Sequence, residues 1–169
     1  MRFLAFLAGA ASVAALDSAS FRLTSTLQEP IAPRFIGFSI EVGAAPEVFL
    51  VGGLGGSPRP SFAALMNGLR VAMGDAAGPS VRVGGNSADE SAWVPTGPLP
   101  TNTTYRIQEA DLDAYVAATA LFNGTIILDT TLRYPTPEFA VAHVAAAVKR
   151  LPNLEAVEVR AGASIVQLR

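Results

Sequence analysis

Apolar and polar residues change rhythm along this chain, and the changes mark an alternating order of strand and helix. Phe21, Leu23, Ser25 and Leu27 alternate with Arg22, Thr24 and Thr26, the period of two expected of a half-exposed strand. Pro30 and Pro33 end it. The run Phe35 to Ile40 is mostly apolar and predicts a strand buried on both faces, finishing at Glu41. Ser61 predicts a helix N-cap. Phe62, Leu65, Met66, Leu69 and Met73 then fall at helical spacing up to a stop at Gly74, and the two methionines read as core filler. Val81-Arg82-Val83 is a short buried strand. A proline-rich loop spans Val94 to Thr104. A second helix starts at Glu109 or Asp111 and carries Leu112, Tyr115 and Val116 to about Leu121. Ile126-Ile127-Leu128 predicts a buried strand ending at Asp129-Thr130-Thr131. Thr136 and Pro137 open a third helix with Glu138 in its first turn and Lys149-Arg150 at its end, the charge order a helix dipole favours. Leu154 to Val159 is the last strand, its apolar run broken by Glu155 and Glu158.

Strands alternating with helices predict parallel pairing through right-handed crossovers. Two architectures fit: an open doubly wound sheet, or part of a (β/α)8 barrel. Composition narrows the function more than the fold. The chain has 169 residues, 50% hydrophobic and 15% charged, with a net charge of −2 and no cysteine. That excludes disulfides, thiolate metal sites and a cysteine nucleophile. No basic block points to nucleic acid. Met1–Ala15 reads as a signal peptide: Arg2 precedes an apolar run, and Val13-Ala14-Ala15 supplies small residues for cleavage, so a secreted protein starting near Leu16 is expected, with no membrane attachment after cleavage. The sequons at Asn102 and Asn123 agree with glycosylation on a secretory route.

The chemistry concentrates at strand ends. Gly84-Gly85 lets the chain turn sharply after Val83, and Asn86, Ser87, Asp89 and Glu90 follow before Trp93. The bland view is an ordinary turn, since these residue types favour turns for local reasons; on the same view the acids cap turns or pair with nearby arginines such as Arg82 and Arg133, the reading preferred for Glu158. The glycine-rich stretch Val51 to Ser57 is read as a surface loop, because neither the dinucleotide fingerprint nor the lysine-bearing phosphate loop matches its spacing. His143 has no partner histidine and is read as surface or structural rather than as a ligand. No metal or other cofactor is expected. Glu41, the Asn86–Asp89 run and Asp129–Thr131 all lie at carboxyl ends of strands, which in a barrel converge on one face.

GFSIE, VRVGGNSADESAW and the run FNGTIILDTTLR through AAAVKRLPNLEAVEV resemble the amino-terminal part of family 79 glycoside hydrolases, the β-glucuronidases and heparanase-like enzymes. The match covers about Phe21 to Val159, and VRVGGNSAD is its most specific piece. The resemblance implies half of a (β/α)8 TIM barrel, truncated after the fourth strand. It implies a retaining glycosidase acting on terminal glucuronic acid, with a glucuronic-acid-containing carbohydrate as partner. It places Glu41, Asn86, Ser87 and Asp89 as sugar-binding residues. The implied layout is a signal peptide over 1–15, a leading strand segment over 16–30 that joins an appended sandwich, a partial barrel over 31–159 and a tail over 160–169.

The departure is at the end. The resemblance expects the fourth strand to run into Gly-Asn-Glu-Pro, whose glutamate is the general acid/base. Here it runs into Arg160-Ala161-Gly162-Ala163, with Gly162 where the glutamate should stand. The nucleophile glutamate belongs to a later strand. No catalytic residue is therefore assigned, and the chain alone is expected to be inactive. A barrel of this kind takes about 250 residues, and half of one leaves two apolar sheet edges unpaired. The tail AGASIVQLR fits no expected element, so a truncated product or a mispredicted gene model is expected. Two other readings stay open: a secreted carbohydrate-binding protein without catalysis, and an unrelated small doubly wound protein.

Overall fold

The structure is a computed structural model that describes residues 36–74, 77–133, 137–161 and 164–168. The expected signal peptide, the leading strand Phe21–Leu27, the Thr136 cap and Gly162 lie outside these residues. In chain order the elements are β1 Gly37–Glu41, a 3-10 turn, α1 Ala45–Phe49, β2 Leu50–Val51, β3 Ser57–Pro58, α2 Pro60–Met73 and β4 Ser80–Gly84. A second 3-10 turn at Asn86–Glu90 follows, then β5 Ser91–Trp93, β6 Tyr105–Ile107, α3 Glu109–Ala120, β7 Thr125–Thr131, α4 Glu138–Arg150, β8 Leu154–Ala161 and β9 Ser164–Leu168. The main sheet has the order β1-β4-β7-β8-β9. Its first four strands are parallel neighbours. Each new strand is added on the same side of the last, so the order never reverses as a doubly wound sheet requires. The result is an open sheet with the winding of a partial TIM-barrel-like fold.

The two faces of the sheet differ. Phe38, Ile40, Val81, Val83, Ile126, Leu128 and Val157 point to one side. All but Val157 belong to a single apolar cluster with Phe49, Met66, Leu112, Tyr115, Ala118, Phe122, Ala147 and Leu151 from the helices and their ends. Aromatic rings stitch this layer: Phe49 meets Phe62 at 5.3 Å and Tyr115 at 5.7 Å between centroids, and Phe62 meets Phe122 at 5.9 Å. The opposite side carries Ser39, Glu41, Ser80, Arg82, Thr125, Asp129 and Glu158. β1 is accordingly half-exposed, with Gly37, Ser39 and Glu41 open, rather than buried on both faces as its hydropathy suggested. Glu155 and Glu158 stand three residues apart and would occupy opposite faces of a regular strand. A register shift between Ile126 and Ile127 inserts an extra residue in β8 and brings both glutamates to the polar side. There Glu155 accepts hydrogen bonds from Ser80 (2.6 Å) and Thr125 (2.5 Å).

Several local expectations change. The N-cap of α2 is Arg59, not Ser61, because Pro60 takes the first helical position, where its missing N–H costs nothing. Gly74 does end the helix, in the left-handed conformation. α3 is capped one residue ahead of Glu109: Gln108 and Asp111 form a reciprocal capping box. The glycine-rich stretch is a largely exposed loop, as read from its spacing, and forms the turn of the β2–β3 ribbon. Arg59 ties it down by donating to the carbonyls of Glu47 (2.9 and 2.6 Å) and Leu50 (3.0 Å). The tail, to which no element was assigned, forms β9 antiparallel to β8 and covers that edge of the sheet.

Candidate functional site

The carboxyl ends of β1, β4, β7 and β8 bring the polar residues together. After Val83 the chain meets two close approaches that only glycine permits. A Cβ on Gly84 would lie 2.4 Å from Asp129 Cβ. A Cβ on Gly85 would lie 2.2 Å from Glu41 Oε1, and Gly85 also holds φ at +83°. The pair therefore lets the carboxylates of Glu41 and Asp129 close in on β4.

Glu41 is held by the turn that follows. Its carboxylate accepts hydrogen bonds from the amides of Asn86 (3.3 Å) and Ser87 (2.8 Å) and from the Ser87 hydroxyl (2.6 Å). The Ser87 hydroxyl first, then its amide, lowers the pKa of Glu41 below the ordinary carboxylate value. Ser87 is itself fixed, since its carbonyl accepts from Ser91 Oγ at 2.6 Å. The Asn86 side chain stays exposed. Asp89 accepts from Thr131 Oγ1 at 3.0 Å, and its carbonyl accepts from Arg133 Nη1 at 3.2 Å. Of the sequence-expected residues, Glu41, Asn86 and Ser87 thus form one constellation. Asp89 anchors the far side of the same turn to β7.

Below them Arg82 crosses the sheet. Its guanidinium donates to Asp129 Oδ2 (2.8 Å), Glu158 Oε2 (2.5 Å) and Ser39 Oγ (3.1 Å). Asp129 is fully buried, while the side chains of Arg82 and Glu158 are 22% and 15% exposed. Both acids are thereby committed to one cation. Among the described residues no cluster of His, Cys, Asp and Glu could hold a metal ion. No described helix is long and apolar enough to cross a membrane. The two sequon asparagines, Asn102 and Asn123, are exposed and adopt positive φ of 65° and 55°.

Trp93 does not face the polar end. It is buried, and its ring stacks on His143 at 5.6 Å with an interplanar angle of 13°. His143, read from the sequence as surface or structural rather than a ligand, is 2% exposed. The excursion from Val94 to Thr104 returns to pair β6 with β5, and Arg106 closes it by donating to the carbonyls of Val94 (2.5 Å) and Gly97 (2.8 Å). Sequence reasoning missed β6 because three residues are too few to show a period. It also missed the alignment of Thr131 with Asp89, which depends on β7 lying beside β4.

A parallel sheet wound in one direction, with helices packed on one face and polar residues at its carboxyl ends, is an α/β fold with partial TIM-barrel-like winding. Among solved structures, the chain is similar to the crystal structure of a 4-O-alpha-L-rhamnosyl-beta-D-glucuronidase from Fusarium oxysporum 12S in its Rha-GlcA complex, with a TM-score of 0.60 and 17% sequence identity. The match covers 77% of this chain and 28% of that one. At this identity the likeness is one of fold. No family model and no curated protein matches the chain.

Proposed function

We propose that the polar end of this sheet recognises a uronic-acid sugar, as the substrate-binding portion of a β-glucuronidase-like glycoside hydrolase. The observation that carries the reading is the Glu41 carboxylate, exposed yet held in place by the Asn86 and Ser87 amides on a glycosidase-like sheet. A carboxylate oriented in this way accepts hydrogen bonds from sugar hydroxyls without further ordering cost. Asp89 extends the acceptor surface, and the exposed Arg133 beside it offers a cation to a uronate carboxylate. The neighbour's Rha-GlcA complex is in keeping with this class of ligand.

Hydrolysis with retention needs two carboxyl groups about 5–5.5 Å apart, one free to protonate the leaving oxygen and one free to attack. Asp129 and Glu158 are engaged by Arg82, and Glu41 is tied to the turn, so in this reading Glu41 binds the sugar and none of the three cuts the bond. Export through the Met1–Ala15 leader belongs to the same reading. The test is calorimetry with glucuronic acid together with an aryl-glucuronide assay. The expected result is saturable binding without turnover, weakened about tenfold or more in Asp89→Ala, because a site built to bond hydroxyls suffers when a polar partner is lost. Unchanged affinity in that variant would return the stretch after Val83 to an ordinary turn.

A further inference from the structure

We propose that the Trp93–His143 stack is an acid-released latch that holds β5, the strand after the Asn86–Glu90 turn, against α4. The inference does not depend on what the turn binds. His143 sits on α4, 2% exposed, with Nδ1 3.3 Å from Thr130 Oγ1 of β7. Its Nε2 is buried without a hydrogen-bond partner. Beside it lies a cavity of about 10 Å³ whose walls include Ala88, Ser91, Trp93, Asp129, Thr131 and Phe139. The same wall therefore carries the turn (Ala88), the strand after it (Ser91, Trp93) and the end of β7. Ser91 in turn holds Ser87 through its carbonyl.

A neutral ring with its proton on Nδ1 tolerates this site. Protonation places a second N–H on Nε2, which needs an acceptor, in a space with room for about one water. The indole face attracts a cation, but dehydrating an imidazolium with one nitrogen unsatisfied costs more. Burial accordingly pushes the His143 pKa down to about 4. The other charged groups on elements packed against α4 are engaged. Asp129, which shares the cavity wall, and Glu158 bind Arg82. Glu155 takes Ser80 and Thr125, Asp111 takes Tyr105, and Glu109 and Asp113 pair with Arg150. On α4 itself Glu138, Lys149 and Arg150 are exposed. The cheapest way to hydrate a charged His143 is to part the stack, which frees Trp93 and β5 from α4, while the turn keeps its bonds to Glu41, Thr131 and Arg133.

Trp93 and His143 are the only tryptophan and the only histidine in the chain, so each reports on the other. The experiment is a pH titration of Trp93 emission with far-UV ellipticity recorded alongside, and NMR titration of the imidazole in the same protein. The expected result is a red shift to water-exposed emission, with a midpoint well below the 6.5 of a free imidazole and matching the NMR midpoint, while ellipticity is retained. His143→Phe, which keeps a ring in place but cannot titrate, should abolish the shift. Quenching without a red shift would mean that the ring charges inside a closed stack and would overturn the latch. So would a shift that tracks the loss of ellipticity, an NMR midpoint near 6.5, or a shift that persists in His143→Phe. Should that variant not fold, the NMR and emission midpoints of the unaltered protein still decide the matter.

Discussion

The two faces of the main sheet are built from the same strands and held by different physics. On the helix side Val81, Val83, Ile126 and Leu128 are all but fully buried, and their contribution is the removal of apolar area from water, about 1.5–3 kcal/mol for each side chain. On the other side the strands present an interlocked polar array: Arg82 with Asp129, Glu158 and Ser39, and Glu155 with Ser80 and Thr125. Burial of that kind adds little net stability while it is intact, yet breaking it is costly because a charge is left behind. The apolar face makes the fold. The polar face fixes where Glu41 and the Asn86–Asp89 turn stand.

The sharpest way to break this comparison is Arg82→Ala. It leaves the buried Asp129 carboxylate without its cation, and a loss of about 3–5 kcal/mol is expected, read from the urea midpoint. A loss under about 1 kcal/mol would show that the polar array is ornamental. Two adjacent residues of β7 give the next test. Leu128→Ala on the apolar face should cost about 2–5 kcal/mol, whereas Ile127→Ala, half-buried on the polar face, should cost less than half as much. Equal costs would mean that both faces are packed alike.

The third test is pH. The folded pKa of His143, about 4, lies below the 6.5 of a free imidazole, so the unfolded chain takes up the proton first as pH falls. Stability is therefore whole above pH 6.5 and declines as the pH drops towards about 4, by up to roughly 3 kcal/mol. His143→Phe should flatten that slope in urea titrations across the window. A slope unchanged in the variant would place the acid sensitivity elsewhere.

The helix side was largely legible in the sequence, because its signal is periodic. Met66, Ile126 and Leu128 are buried as the pattern announces and the strand–helix alternation gives the parallel winding, but Leu65 is 52% exposed and Met73, expected as core filler, lies outside the buried cluster. The polar face was not. Arg82 between two valines reads as an interruption of a buried strand and Glu155 as a break in an apolar run; only the pairing of Glu158 with an arginine such as Arg82 was expected. Only the strand order, with β4 and β8 on either side of β7, makes them one array. The bulge in β8 that aligns the two glutamates leaves no mark in the local pattern. Glu41 with Asn86 and Ser87 was legible for a different reason: all lie at carboxyl ends of strands, which this winding brings to one face, and the close approach of the Glu41 carboxylate to Gly85 is what the structure adds. The stack of Trp93 on His143 joins residues fifty apart and carries no sequence signal.

The measurement that tests the central claim most directly is an amide NMR titration of the protein with glucuronic acid. Shifts that saturate together at Glu41, Asn86 to Asp89, Thr131 and Arg133, with Val81, Ile126 and Leu128 unmoved, are the predicted result. An absence of shifts at millimolar sugar, or shifts centred on the helix side, would contradict the assignment of the polar end as the sugar site.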